Sequence, residues 1–230
     1  MQSALNLSKK SVFSHDFLII RSPENLSKVR LFTARKYNNK YGATLKNFMP
    51  QAICHLDKNR FIRAAAGFQS ASRSLYLEQY LKEPVENAIA RSFDTPIPKR
   101  SQIVELGNFA ASTPGATRHF IIRLGKYLLK NNFHWLVLTA TQSIKASFEK
   151  MGLESAMVVI CDAKIDRLKD NITDWGTYYE NNPKVIAVDI KKGLNELLKN
   201  EVVFQLLQVA QEPIEDVDIP DYLLEEGYDE

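Results

Sequence analysis

The chain has 230 residues, 45% hydrophobic and 25% charged, enough for one sizeable core and short for two. Its two cysteines, Cys54 and Cys161, and four histidines, His15, His55, His119 and His134, fit no metal-ligand or redox spacing. No metal site is therefore expected, and the thiols read as buried or idle in a reducing compartment. The net charge of +3 hides an asymmetry: residues 212–230 hold nine acidic and no basic residues, which leaves 30 basic against 18 acidic, or +12, on residues 1–211.

We read residues 1–211 as one folded domain and 212–230 as a solvated acidic tail. A basic body attracts nucleic acid, anionic lipid, an acidic carrier protein or a phosphorylated cofactor. No nucleic-acid motif accompanies the charge, so no nucleic-acid partner is expected. The N-terminus lacks the pattern of a secretory signal. The most apolar stretches, Phe17–Ile20 and Trp135–Leu138, are strand-length against the ~20 apolar residues that span a bilayer. A cytoplasmic protein is expected, with membrane contact at most peripheral.

In chain order, Ser22-Pro23 starts a helix, with Ser22 as cap and proline at its first position. Leu26, Val29, Phe32 and Ala34 recur near helical spacing until Tyr41-Gly42. Gln51–Leu56 and Phe61–Ser70 read as a hairpin around Asp57-Lys58-Asn59-Arg60. Leu75–Phe93 reads as helical with a break at Pro84. A strand at Gln102–Ala110 follows, then a helix over Thr117–Lys130, a strand at Trp135–Ala140, a helix capped by Ser143 and ended by Gly152, and a strand at Ala156–Cys161. Thr173–Pro183 is an aromatic loop, Val185–Asp189 a strand and Leu194–Val209 a helix. Alternating strands and helices after a hairpin predict a twisted mixed α/β sheet. Gln102–Ala110 and Trp135–Ala140 should be parallel neighbours joined by a right-handed crossover.

Glu105 interrupts the apolar run Ile103-Val-Glu-Leu-Gly-Asn-Phe-Ala110, which feeds the turn Ser112-Thr-Pro-Gly-Ala-Thr117 and an amphipathic helix. A carboxylate on a central strand needs a partner or a task. Either it is a base or an acceptor anchor, or it forms a structural ion pair with Arg63 or Arg123. The turn is either an anion site at a helix N-terminus or an ordinary tight turn.

Leu75–Glu86, Ile103–Ala110, Trp135–Thr141 and Trp175–Tyr179 resemble the thermostable hemolysin family. Glu105–Ala110 also resembles the Glu-Leu/Ile-Ser-Arg-Phe-Ala strand of acyl-homoserine lactone synthases. Ser147-Phe-Glu-Lys-Met-Gly-Leu153 resembles a helix end of the wider Gcn5-related acyltransferases. The resemblance implies a Gcn5-related N-acyltransferase-like domain. Such an enzyme would move an acyl group from a coenzyme A or carrier-protein thioester to the amine of a small acceptor. An acyl carrier protein is then a partner, and no cofactor is permanently bound.

By the same resemblance Glu105 and Asn108 are the catalytic candidates, and Ser112, Gly115, Ala116, Thr117 and Arg118 would hold the donor's phosphates. Arg30, Arg35, Phe109 and Phe148 would contact substrate. Arg63, Glu78, Tyr80 and the aromatic loop are further candidates. Only Gly115 fits the usual Gln/Arg-x-x-Gly-x-Gly/Ala turn. Phe148 stands where a tyrosine usually protonates the leaving thiolate, and Asn108 replaces the synthases' arginine, which argues against S-adenosylmethionine as acceptor. The family name implies a rival: a membrane-active hemolysin without catalysis. A lytic, lipid-like product made by an enzyme would reconcile the two.

Overall fold

A computed structural model describes residues 17–169 and 173–201, with residues 203, 205, 214, 215 and 219. The strands are β1 (Phe17–Ile20), β2 (Gln51–Leu56), β3 (Ile62–Ser70), β4 (Ile103–Ala111), β5 (Trp135–Ala140), β6 (Met157–Asp162), β7 (Lys184–Asp189) and the two-residue β8 (Ile214–Glu215). They form one mixed sheet in the order β6-β7-β5-β4-β3-β2-β1-β8. β4 and β5 are parallel and the flanking pairs antiparallel, except that β8 runs parallel to β1. The expected parallel neighbours and hairpin are both present.

Helices cover both faces. α1 (Pro23–Tyr41) begins as expected, with Ser22 accepting from Asn25 N, and ends at Gly42 in the left-handed region. α2 (Val85–Phe93) follows a separate 3-10 turn, Tyr76–Tyr80, so the helix expected over 75–93 is two pieces divided before Pro84. α3 (Pro114–Lys130) starts three residues earlier than expected because Thr113 caps it, accepting from Ala116 N, with Pro114 at its first position. α4 (Gln142–Lys150) is flanked by Thr141 rather than Ser143, and α5 (Ile190–Leu198) is capped by Asp189.

The strand alternation decides what each face holds. Val104 and Leu106 join Phe120, Ile122, Leu124 and Phe148 in the core under α3, α4 and α5. Ile103 packs on the opposite face with Leu77, Val85, Ile89 and Val137. Glu105, in phase with Ile103, therefore points toward the 3-10 turn and α2. Part of the segment read as a solvated tail is docked: β8 extends the sheet, Ile219 is buried beside Leu18 and Val29, and Lys28 Nζ donates to its carbonyl at 2.6 Å. The helix expected over 194–209 begins earlier, at Ile190, and ends at Leu198; after a turn at 199–200, residues 201, 203 and 205 are again helical, and the rest of that span lies outside the described residues.

Candidate active site

Pairing of β4 with β5 runs from Ile103–Trp135 to Leu106–Leu138 and stops there, although both strands continue. A cavity of about 800 Å³ occupies the space beyond, walled by residues 105–111 of β4 and by Leu138, Thr139 and Thr141. That volume suits a small-molecule ligand. On the antiparallel side, Ala65 faces Ala110 and Gly67 faces Gly107, so two β4 residues, Asn108 and Phe109, bulge opposite Ala66. Asn108 takes φ of +50°, a conformation that asparagine tolerates better than most residues.

Glu105 is 2% exposed and is one of the residues lining the cavity. Tyr76 N donates to its Oε2 at 2.7 Å and Leu77 N to its Oε1 at 2.9 Å. Neither arginine expected as an ion-pair partner faces it. Arg63 binds Asp57 at 2.6 Å, and Arg123 lies 5.1 Å from the Phe17 ring centroid. With two amide donors and no cation, burial wins: the carboxyl is pushed up to about 7, partly offset by the two N–H groups and reinforced by Glu78. A carboxyl that titrates near neutrality can take and return a proton at physiological pH.

Asn108 lines the same cavity, and its amide is also bonded to main chain. Its Oδ1 accepts from Met49 N at 3.0 Å and its Nδ2 donates to Asn47 O at 3.2 Å, which fastens the 44–50 segment across the sheet. Met49 fills the groove over the glycine pair: a Cβ on Gly67 would lie 2.5 Å from Met49 Cβ, and one on Gly107 2.5 Å from its Cε. Arg30 braces the same segment, with Nη2 reaching Met49 O at 3.5 Å and the guanidinium 5.7 Å from the Phe48 ring centroid.

Of the other expected site residues, Phe109, Ser112 and Thr117 reach the cavity wall; Arg30, Arg35, Phe148, Gly115, Ala116 and Arg118 do not. Phe148, 2% exposed, is core. At the start of α3, Pro114 has no N–H and Thr113 takes that of Ala116, so this turn offers an anion fewer donors than a glycine-rich loop would.

The wall is completed from elements that the central segment does not reveal. α1 contributes Lys36, Tyr37, Lys40 and Tyr41, and the aromatic loop Trp175, Tyr178 and Tyr179. Tyr178 stacks on Tyr37 at 5.9 Å and meets Tyr41 edge-on at 5.2 Å, while its hydroxyl donates to Thr139 O at 3.4 Å. The hydroxyls of Tyr80 and Tyr179 are 2.5 Å apart. Gly176, at φ of +48°, locks this loop to α1: any Cβ would lie 2.0 Å from Tyr41 O, the carbonyl that accepts from Thr177 N. Lys40 reaches Ser143 Oγ at 3.3 Å, linking α1 to α4.

The sequence profile of thermostable hemolysins matches residues 20–194. This chain belongs to the thermostable hemolysin family. No protein of curated function is matched. Among solved structures, the family member is similar to BjaI, a CoA-dependent acyl-homoserine lactone synthase seen with SAM and isopentyl-CoA, at 9% identity over 92% of this chain and 98% of that one, with a TM-score of 0.56. It is likewise similar to the AHL synthase LasI, at 13% identity over 78% and 91% of the two chains and a TM-score of 0.52. FeeM, an N-acyl amino acid synthase from uncultured soil microbes, matches at 12% identity over 82% and 97%, with a TM-score of 0.54. At these identities the likeness shows a shared fold. Among the described residues no helix is long and apolar enough to cross a membrane, and no cluster of His, Cys, Asp or Glu could hold a metal.

Proposed function

We propose that this chain is an N-acyltransferase, moving an acyl group from a coenzyme A or carrier-protein thioester to the amine of a small acceptor. The observation that carries the reading is Glu105: a buried carboxyl without a cation, near neutral in its titration, in the wall of a cavity that opens where two parallel strands stop pairing. Structural likeness to acyl-transferring synthases supports the same class of reaction.

In this reading the thioester lies along residues 107–111 of β4, past the last pair with β5, where backbone N–H groups can polarise its carbonyl. Glu105 binds the acceptor ammonium and takes its proton. The amine nitrogen attacks the carbonyl carbon, the C–S bond breaks as that nitrogen gives its second proton to solvent, and the thiolate leaves to be protonated by Glu105. The aromatic loop and α1 enclose the acyl chain and shed water. Lys36 and Lys40 supply positive charge at the same cavity for the donor's phosphates or for an acidic group on the acceptor. Asn108 serves by holding the 44–50 segment. A cytoplasmic site of action, where such thioesters are made, goes with this reading.

The test is thiol release by the purified protein from acyl-CoA and acyl-carrier-protein thioesters, with a panel of small amines and mass spectrometry of organic extracts. Amine-dependent release and an N-acyl product are expected, with Glu105→Gln reducing the rate by ~10²–10⁴-fold. Lysis of plain phospholipid liposomes by purified protein without any thioester, and no thiol release, would instead establish the non-catalytic hemolysin.

A further inference from the structure

Behind Glu105, on the side of the 3-10 turn, stands Arg100, in the 3-10 segment Arg100–Gln102 that leads into β4. A guanidinium has five N–H donors, and all five are used. Nε donates to Ala71 O at 2.6 Å. Nη1 donates to Glu78 Oε1 at 2.7 Å and to Glu86 Oε2 at 2.6 Å. Nη2 donates to Glu78 Oε2 at 3.0 Å and to Arg73 O at 3.2 Å. One side chain thus ties together the end of β3, the 3-10 turn, α2 and the approach to β4.

Glu78 passes that order on. Besides the two-pronged bond to Arg100, its oxygens accept from Leu75 N at 2.9 Å and Val85 N at 3.2 Å, fixing the entry to the turn and tying it to the first residue of α2. The next two N–H groups along the chain, those of Tyr76 and Leu77, are the ones that hold Glu105. Glu78 is also the like charge acting on Glu105, and Arg100 is the cation that balances it.

We propose that Arg100 is a positioning residue for Glu105: through Glu78 it fixes the turn whose N–H groups hold the Glu105 carboxylate, and it cancels the negative charge beside that carboxylate. This inference rests on Glu105 as base or anchor, but Arg100's effect on Glu105 can be read without turnover. The charged and titratable groups around Glu105 are Glu78, Glu86 and Arg100 behind it, with Tyr76, Tyr80, Tyr179, Lys36 and Lys40 on the cavity wall. Only Glu78 and Glu86 are bound by Arg100, so substitutions at Arg100 and Glu78 should move Glu105 in opposite senses.

The experiment is a carbon-13 NMR titration of glutamate side-chain carboxyls in the full chain, with Glu105→Gln identifying the signal, run beside kinetics on a thioester donor. Arg100→Gln leaves Glu78 unbalanced and should raise the Glu105 midpoint by about one pH unit, roughly tenfold fewer ionised carboxylates below it. Glu78→Gln removes the repulsion and should lower the midpoint. The double variant should fall below Arg100→Gln alone. Arg100→Lys keeps the charge but loses the fork, so the midpoint stays within a few tenths while kcat falls and KM for the thioester holds.

Midpoints that move together, or not at all, overturn the inference. If Arg100→Gln does not fold, Glu78→Gln and Arg100→Lys decide it: a lowered midpoint in the first and an unchanged one in the second support it, and any other pair refutes it. Opposite shifts in a protein that makes no product would keep Arg100's role on Glu105 and remove the acyltransfer reading. Product without shifts would do the reverse.

Discussion

Glu105 makes stability depend on pH in a direction that an ion pair would reverse. Its carboxyl titrates at about 7 in the folded chain against an ordinary 4.5. The folded state therefore binds more protons than the unfolded state between those values, and stability falls as pH rises through the window. A shift of about 2.5 units is worth about 3.4 kcal/mol in full. Below pH 5 part is already lost and by pH 8 it is complete, so about 2.5 kcal/mol should disappear between pH 5 and 8. Glu105→Gln cannot titrate, but its amide NH₂ must face one of the two N–H donors, a constant penalty of about 1–3 kcal/mol. Wild type should therefore be the more stable at pH 5 and lose that lead toward pH 8. The assay is thermal or urea unfolding of both proteins at half-unit steps, comparing the difference so that Asp57 and Glu78 cancel. At ~2–4 °C per kcal/mol for a chain of this size, the gap in Tm should close by roughly 5–10 °C. A gap that widens with pH would mean a carboxylate held by a cation, and a flat one a carboxyl open to water; either refutes the argument.

Three further outcomes follow from the geometry. Gly176→Ala meets Tyr41 O at 2.0 Å and needs a left-handed backbone, so it should lower Tm by roughly 6–16 °C, about 3–4 kcal/mol, and expose Trp175 to fluorescence quenchers. Gly67→Ala should destabilise more than Gly107→Ala in urea unfolding, because the first collides with Met49 Cβ near the main chain and the second with the movable Cε. Phe148→Tyr should cost about 1–3 kcal/mol in the same assay and restore no activity, since its hydroxyl would enter the core under α4 and not the cavity.

Much of the fold is legible in the sequence because its signals are local. Ser22-Pro23 and Gly42 bound α1 by caps alone, and the crossover from β4 to β5 follows from a strand, a helix long enough to cross and a second strand. The misses occur where tertiary contacts override local pattern. Leu75–Phe93 carries helical spacing throughout, yet Glu78 is drawn to Arg100 and to Val85 N, which holds Tyr76–Tyr80 as a tight turn. The acidic stretch beyond residue 211 reads as solvated by charge, yet Ile219 is buried and its N–H is bound by Asn25 Oδ1 at 3.1 Å, a partner 194 positions away.

The site divides along the same line. Glu105 stands out because a lone carboxylate in an apolar strand is costly, and the cost itself is the signal. Asn108 is equally visible, but the sequence gives no sign of what its amide holds, Asn47 O and Met49 N, contacts 61 and 59 residues distant. Phe148 is placed by its helix-end motif at the ligand, yet its side chain packs in the core and does not line the cavity. Arg100 gives no local sign at all, because a loop arginine between prolines and a strand is by default solvated. Its importance lies in five bonds to groups 14–29 residues away, and only the folded chain assembles them. A base needs more than a carboxylate at the right place in a strand. It needs a shell that fixes the carboxylate's geometry and charge, and the shell around Glu105, the carboxylate we propose as base, is built from the turn after β3 and from a cation fixed on the far side of it, so a single-residue motif marks the carboxylate and leaves its support unseen.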